Sequence, residues 1–268
     1  MKNAAQFIIA FALCLSNTTN LEAGSLNTTD CLMSSILVDT MVVPTNKSWK
    51  YPQAAQRLIA HIDAKINELT KNSSKIQAKL DEPSTHLSDK QKAKRAAMLK
   101  DLDSRLVELN ASKADMDRLG NDPNHIYAFS EKGENCVIKV NDKEIIIQSE
   151  NDALLIHEIR HISFWLQTGR NFRFSKDNLL KPVFADGSVD ELQSYRAQYA
   201  FSPNSLPGII PTDMAHVNLE FVAKIQRENG AIAYPSIHQM WEADLKIVAQ
   251  QAKLKQSTQG VYVANDGY

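Results

Sequence analysis

The chain has 268 residues, 43% hydrophobic and 23% charged, which is the composition of an ordinary globular protein with room for one large domain or two small ones. Its formal net charge of −1 gives no global field to steer nucleic acid or an anionic membrane. Nine glycines and nine prolines are too few for a fibrous or disordered chain.

The opening, MKNAAQFIIAFALCLS, has one early lysine and then an apolar run from Ala4 to Leu15. A short positive region before an apolar core predicts a signal peptide over residues 1–24, with cleavage near Ala23 and Gly24. Leu13 is bulky where a lipoprotein site at Cys14 favours a small residue. The expected location is therefore secreted or periplasmic, with no stable membrane anchor once the leader is gone. The mature chain keeps Cys31 and Cys136, and an oxidising compartment would favour their pairing over two separate thiols. Five Asn-x-Ser/Thr tripeptides begin at Asn17, Asn27, Asn46, Asn72 and Asn110, and they matter only in a eukaryotic secretory pathway.

Residues 25–50 read as a polar lead-in that packs on the body. Residues 51–120 read as a coiled-coil helical hairpin. In the first arm Ile59, Ile62, Ile66, Leu69, Ser73, Ile76 and Leu80 alternate spacings of three and four, the period of a coiled-coil seam. Pro83 stops it, and Ser88 with Gln91 has the form of a capping box for a second helix. Leu99, Leu102, Leu106, Leu109, Lys113 and Met116 repeat the same alternation. The arms should fold back antiparallel, with Lys113 snorkelling or fraying and the outer charges forming a solvated face. Such a hairpin is a candidate partner-binding arm, a cover over an active site, or a spacer.

Residues 121–268 read as a second domain. IYAF, CVIKV and EIIIQ are short β-prone runs, the last two separated by the turn-like NDK, so a small antiparallel sheet is expected. Segments 152–168, 188–200, 212–228 and 236–254 carry helical periodicity, and SPNSLPGIIPT separates the second from the third. The overall class is α+β, mostly helical.

The stretch LLIHEIRHISFW holds the chemistry. His157 and His161 are four residues apart, so on a helix both imidazoles share one face and can bind one metal ion. Glu158 sits about 100° round the helix, where its carboxylate reaches a water rather than the ion. Zinc lowers the pKa of such a water towards about 7, and the glutamate can take its proton. The flanks Leu154, Leu155, Ile156, Ile162, Phe164, Trp165 and Leu166 make a buried helix, which has little reason to hold these groups unless they are paired or metal-bound. Asn151 or Asp152 is a suitable N-cap. An edge strand of the preceding sheet could hold a substrate extended beside this helix.

HEIRH on a buried helix after a sheet resembles the zincin metallopeptidases, and the resemblance covers roughly residues 135–200. It implies His157 and His161 as zinc ligands and Glu158 as general base. In the gluzincin branch the third ligand is a glutamate on a later helix, and VDELQSYRAQYAF offers Glu191, with Tyr195 and Gln198 on the same face. Asp186 and Asp190 are rival oxygen ligands. Three positions depart from the pattern. Arg160 is charged where the family is usually uncharged, and it either points outward or pairs with a carboxylate. Phe164 stands where the metzincin branch has glycine. Tyr195 stands where some gluzincins have an aspartate that orients the first histidine, so the partner of His157 is unassigned. An oxyanion donor is also required, for which Tyr195, Tyr199, Arg196, His216 and His238 are candidates. His61, His86 and His125 read as surface residues.

The implied function is a secreted zinc-dependent metallopeptidase acting on a protein or peptide substrate, with no nucleic-acid partner. The alternative is a non-catalytic zincin-like scaffold whose coiled-coil hairpin mediates protein–protein interaction.

Overall fold

Helical periodicity, one capping box and three β-prone runs become five long helices, one short one and one small sheet among the described residues of the computed structural model. It describes residues 47–82, 87–131, 133–183 and 187–262, with side chains to residue 251. The leader, most of the lead-in, Cys31, His86 and Asp186 lie outside the described residues, and with them the expected Cys31–Cys136 pairing. Pro44–Tyr268 forms one compact unit. No described helix is long and apolar enough to cross a membrane.

Helix α1 (Pro52–Asp81) starts on a proline in its first turn, where a missing N–H costs nothing. Helix α2 (Asp89–Gly120) starts on the expected box: the Gln91 N–H donates to Ser88 Oγ at 3.3 Å, and the Ser88 N–H donates back to Gln91 Oε1 at 2.9 Å. The two pack along each other largely through the apolar residues read from the sequence, with Leu58 buried beside the expected Ile59. Leu58, Ile62 and Leu69 on α1 and Leu109 and Met116 on α2 are buried, while Ile76, Leu80 and Leu99 nearer the turn are only half-buried. The Lys113 side chain stays half-exposed, and its Nζ crosses to Asp63 Oδ1 at 2.6 Å.

The outer face of α2 differs from expectation. Asp101, Arg105, Glu108, Ser112 and Asp115 also alternate spacings of four and three, so they form a second stripe beside the apolar one. Glu108, Ser112 and Asp115 are buried, and the stripe is an interface with the rest of the unit. Asp101 Oδ1 accepts the Met214 N–H at 2.7 Å, and Arg105 donates to the Ala200 carbonyl at 3.1 and 3.2 Å.

The sheet is mixed rather than antiparallel. Strand β2 (Cys136–Lys139) and strand β3 (Glu144–Gln148) form the expected antiparallel hairpin, closed by Asn141 Oδ1 accepting the N–H groups of Lys143 and Glu144. Strand β1 (Ile126–Ser130) pairs parallel to β3, giving the order β1-β3-β2. The loop between β1 and β2 is long enough for β2 to be placed beyond β3, so neighbours in sequence are not neighbours in space. Ile145 and Ile147 of β3 point into the core.

Both sheet edges carry backbone partners. Residues 48–50 of the lead-in lie along β1: the Lys50 N–H donates to Tyr127 O at 2.8 Å, and the Tyr127 N–H donates to Ser48 O at 2.6 Å. Trp49 is buried against Tyr127 and Phe129. Residues 178–180 lie along β2, with Leu180 N–H on Val137 O and Lys139 N–H on Asn178 O, both at 2.9 Å. The edge expected to receive an extended substrate is therefore occupied by the chain itself.

Helix α3 (Asp152–Gln167) follows, capped by Asn151, whose side chain accepts the Leu154 N–H at 3.0 Å. Helix α4 (Ser188–Phe201) packs on α3. The periodic segment 212–228 is not one helix. Asp213 and Asn218 each cap a new start, giving one 3₁₀ turn at Met214–His216 and a short α5 (Leu219–Ala223). Two capping side chains within seven residues outcompete helix propagation. Helix α6 (Pro235–Tyr262) ends the described chain.

Candidate metal centre

Helix α3 brings His157 and His161 to the face that meets α4, and the first turn of α4 supplies Glu191. The two imidazole Nε2 atoms are 3.2 Å apart, and Glu191 Oε2 stands 3.6 Å from that of His157 and 3.8 Å from that of His161. Two ligands on one tetrahedral zinc, each about 2.0–2.1 Å from it, are about 3.3 Å apart. The three separations cluster round that value. Glu191 Oε2 is buried without a hydrogen bond, since 3.6 and 3.8 Å are too long for one. The donor set of two imidazoles and one carboxylate therefore fits a zinc ion.

The partner of His157 that the sequence left unassigned is Gln198. Its Oε1 lies 2.9 Å from His157 Nδ1, and its own Nε2 donates to the Ser205 carbonyl at 2.7 Å. That anchored amide oxygen accepts a hydrogen bond from Nδ1–H, the tautomer that leaves the Nε2 lone pair facing the site. The Tyr195 ring packs edge-on against His157, centroids 4.6 Å apart.

The rival Asp190 lines the same cavity, but its Oδ2 accepts the Val183 N–H and does not join the three-atom group. Among the described residues only His157, His161 and Glu191 bring three metal-ligating atoms together.

The cavity holds about 250 Å³ and is lined by these three residues, Glu158, the β2 residues Cys136 and Val137, the segment Leu179–Pro182, and Tyr234. Burial pushes Glu158 up to about 7, with the neighbouring His157 opposing and the Glu191 charge adding. Burial pushes His161 down to about 4, opposed by Glu191 and reinforced by His157. Burial also disfavours a charged His157, yet the carboxylates of Glu191 and Glu158 outweigh it and its net shift is upward. Glu191 is lowered: its burial is overcome by the two histidines and Tyr234.

None of the five expected oxyanion donors lines the cavity. The Tyr199 hydroxyl turns to Asp101, Arg196 pairs with Glu108, exposed His216 meets Asp213, and His238 bonds to the Ala223 carbonyl. Tyr195 reaches it only through Tyr234, whose hydroxyl is 2.8 Å from its own. Tyr234, at the start of α6, is the hydroxyl that faces the site, and it was missed because nothing in its local sequence marks it. Of the remaining histidines, exposed His61 lies 2.5 Å from Asp152, whereas His125 is half-buried and bonded to the buried Asp122 at 2.7 Å rather than lying on the surface.

Arg160 resolves as a buried ion pair. It meets Glu108 at 3.1 Å and Asp115 at 2.5 Å, on the side of α3 turned to α2. Arg196 adds a contact to Glu108 at 3.0 Å, and Arg118 adds one to Asp115 at 2.9 Å. Histidines on one side and this charge cluster on the other explain why so apolar a helix carries so many ionisable groups.

Comparison with known proteins gives no match: no family model fits the chain, and no curated protein or solved structure is similar to it.

Proposed function

We propose that the chain is a zinc-dependent metallopeptidase of gluzincin type. The observation that supports this most directly is the set of three donor atoms at ligand spacing, with the Glu158 carboxylate in the same cavity. Zinc held there would supply a Lewis acid for a carbonyl and a water acidic enough to lose its proton near neutrality. His157, fixed by Gln198, would present one nitrogen, and His161 and Glu191 would complete the set. Glu158 would take the proton from the attacking water and return it to the leaving nitrogen. Tyr234 would donate its hydroxyl to the oxygen on which charge develops.

The leader pattern supports export to an oxidising compartment. The seam spacings of α1 and α2 support a coiled-coil arm, whose half-buried apolar tip leaves room for a protein partner.

The test combines zinc content with turnover of unstructured peptides. About one zinc per chain is expected, with loss or weakening in Glu191→Ala. Glu158→Gln should keep zinc and lose activity. Zinc bound at full stoichiometry with no hydrolysis of any peptide would instead favour the scaffold whose helical arm is the working part. Absence of zinc in the wild-type chain after reconstitution would sink the peptidase reading and leave the helical arm as the best clue to function.

A further inference from the structure

The cavity wall is built so that a long peptide cannot lie along it as an added strand. Leu180 N–H is spent on Val137 O and Lys181 N–H on Arg173 O, at 2.9 and 2.8 Å. The carbonyls of Asn178 and Leu179 accept from Lys139 and Ser175 at 2.9 and 2.8 Å, and Lys181 O accepts the Trp165 indole N–H at 2.7 Å. The volume of about 250 Å³ is also below the roughly 300–1,000 Å³ of sites that enclose a drug-sized molecule. There is room for the end of a peptide but not for its length.

The lining says which end. A terminal amine would seek a carboxylate, but Asp190 is engaged by Val183, Glu191 belongs to the metal donors, and Glu158 handles the proton. Lys181 is the only lysine or arginine among the described lining residues, and no described carboxylate pairs with it. Its backbone is pinned on both sides by the bonds to Arg173 and Trp165, which fixes where its exposed side chain starts on the cavity wall. Asn135 also lines the cavity. The Glu150 N–H occupies its Oδ1 at 3.1 Å, which leaves its amide N–H groups as donors.

We propose that the site takes peptides by their free C-terminal carboxylate, held by Lys181 and Asn135, and cuts the last peptide bond. This rests on the peptidase reading above. Water adds its oxygen to the carbonyl carbon of that bond, the C–N bond breaks, and Glu158 carries the water's proton to the leaving amine. The products are one free amino acid and a peptide shorter by one residue.

The experiment uses the zinc-loaded chain on a short N-acetylated peptide, compared as free acid and as C-terminal amide, with products identified by mass. Stepwise release from the C-terminus is expected, with kcat/KM at least about tenfold higher for the free acid. In Lys181→Met that ratio should collapse towards one, chiefly through KM for the acid, while Lys176→Met, an exposed charge control, should keep it. Internal cleavage at equal rates on acid and amide would overturn the C-terminal anchor and leave the peptidase reading standing. Release from the N-terminus of the unacetylated peptide alone would do the same. No cleavage of any peptide despite bound zinc would overturn both.

Discussion

Helices α1 and α2 are nearly equal in length, share one apolar seam and are both rich in charge, yet those charges do opposite things. On α1 they stay at the surface. Lys65 pairs with Glu68 and Arg57 with Glu131, all with well-exposed side chains on at least one partner. On α2 the stripe from Asp101 to Asp115 is an interface, with Glu108 and Asp115 buried against Arg160 of the HEIRH helix. The difference teaches that a polar heptad stripe is not by itself a solvated one. What decides is whether the neighbouring elements bring opposite charges at the matching spacing, and here Arg160 and Arg196 do so.

The largest effect expected from breaking this asymmetry is at Asp115. Asp115→Ala strips Arg160 and Arg118 of a shared buried partner and leaves buried Arg160 with Glu108 alone, a loss at the low end of about 3–5 kcal/mol. Asp63→Ala on α1 removes a pair in which both side chains keep about 40% of their exposure, and should cost under about 1 kcal/mol. Urea unfolding midpoints of the two variants measure this directly. Equal losses would mean that the two stripes are energetically alike.

The apolar seam should show a second gradient, along its length instead of between the helices. Leu109 is fully buried at the base and Leu80 is half-buried near the turn. Leu109→Ala should cost about 2–4 kcal/mol through transfer and cavity terms, and Leu80→Ala clearly less, because water already reaches it. The same unfolding series checks both. A Leu80 loss as large as that of Leu109 would place the tip in a closed core.

Across α3 from the charge cluster, Gln198 offers a contrast of kind. Arg160 and Asp115 hold the helix, whereas Gln198 orients one ring on it. Gln198→Leu should weaken zinc binding about 10–100-fold, read by competition with a chelator. Asp115→Ala should instead lower stability, with zinc affinity changing less than in Gln198→Leu. If Asp115→Ala weakened zinc more, the cluster would be setting the ligand geometry as well as anchoring the helix.

Much of this was legible in the sequence because the signals were local. The capping box at Ser88, the NDK hairpin and the Asn151 cap are fixed by residues three or four positions apart. The spacing of His157 and His161 was legible for the same reason, since one helix carries both. Glu191 was reachable through a family resemblance, and Gln198 only as a residue on its face. Tyr234 was out of reach, because it enters the cavity from a helix 43 residues further on and has no periodic or motif signal. The parallel pairing of β1 with β3 and the burial of Glu108 and Asp115 are long-range choices. Alternation reports which side of an element a residue occupies, and not what comes to cover that side.

The smallest effect is also the cleanest comparison, because two ion pairs share one geometry. Lys65–Glu68 on α1 and Asp115–Arg118 on α2 are both three residues apart, at 2.7 and 2.9 Å. Glu68→Gln should cost only a few tenths of a kcal/mol, in the range of about 0.2–0.5 for an exposed helical pair. Salt then separates the two. At 1 M ionic strength the screening length falls to about 3 Å, so the Glu68 increment should vanish into error. The Asp115 increment should persist, because that side chain is only 4% exposed and mobile ions do not enter between it and its partners. Should the Asp115 loss shrink with salt in proportion to the Glu68 loss, water and ions must reach the α2 stripe, and the interface between α2 and the HEIRH helix would be open rather than packed.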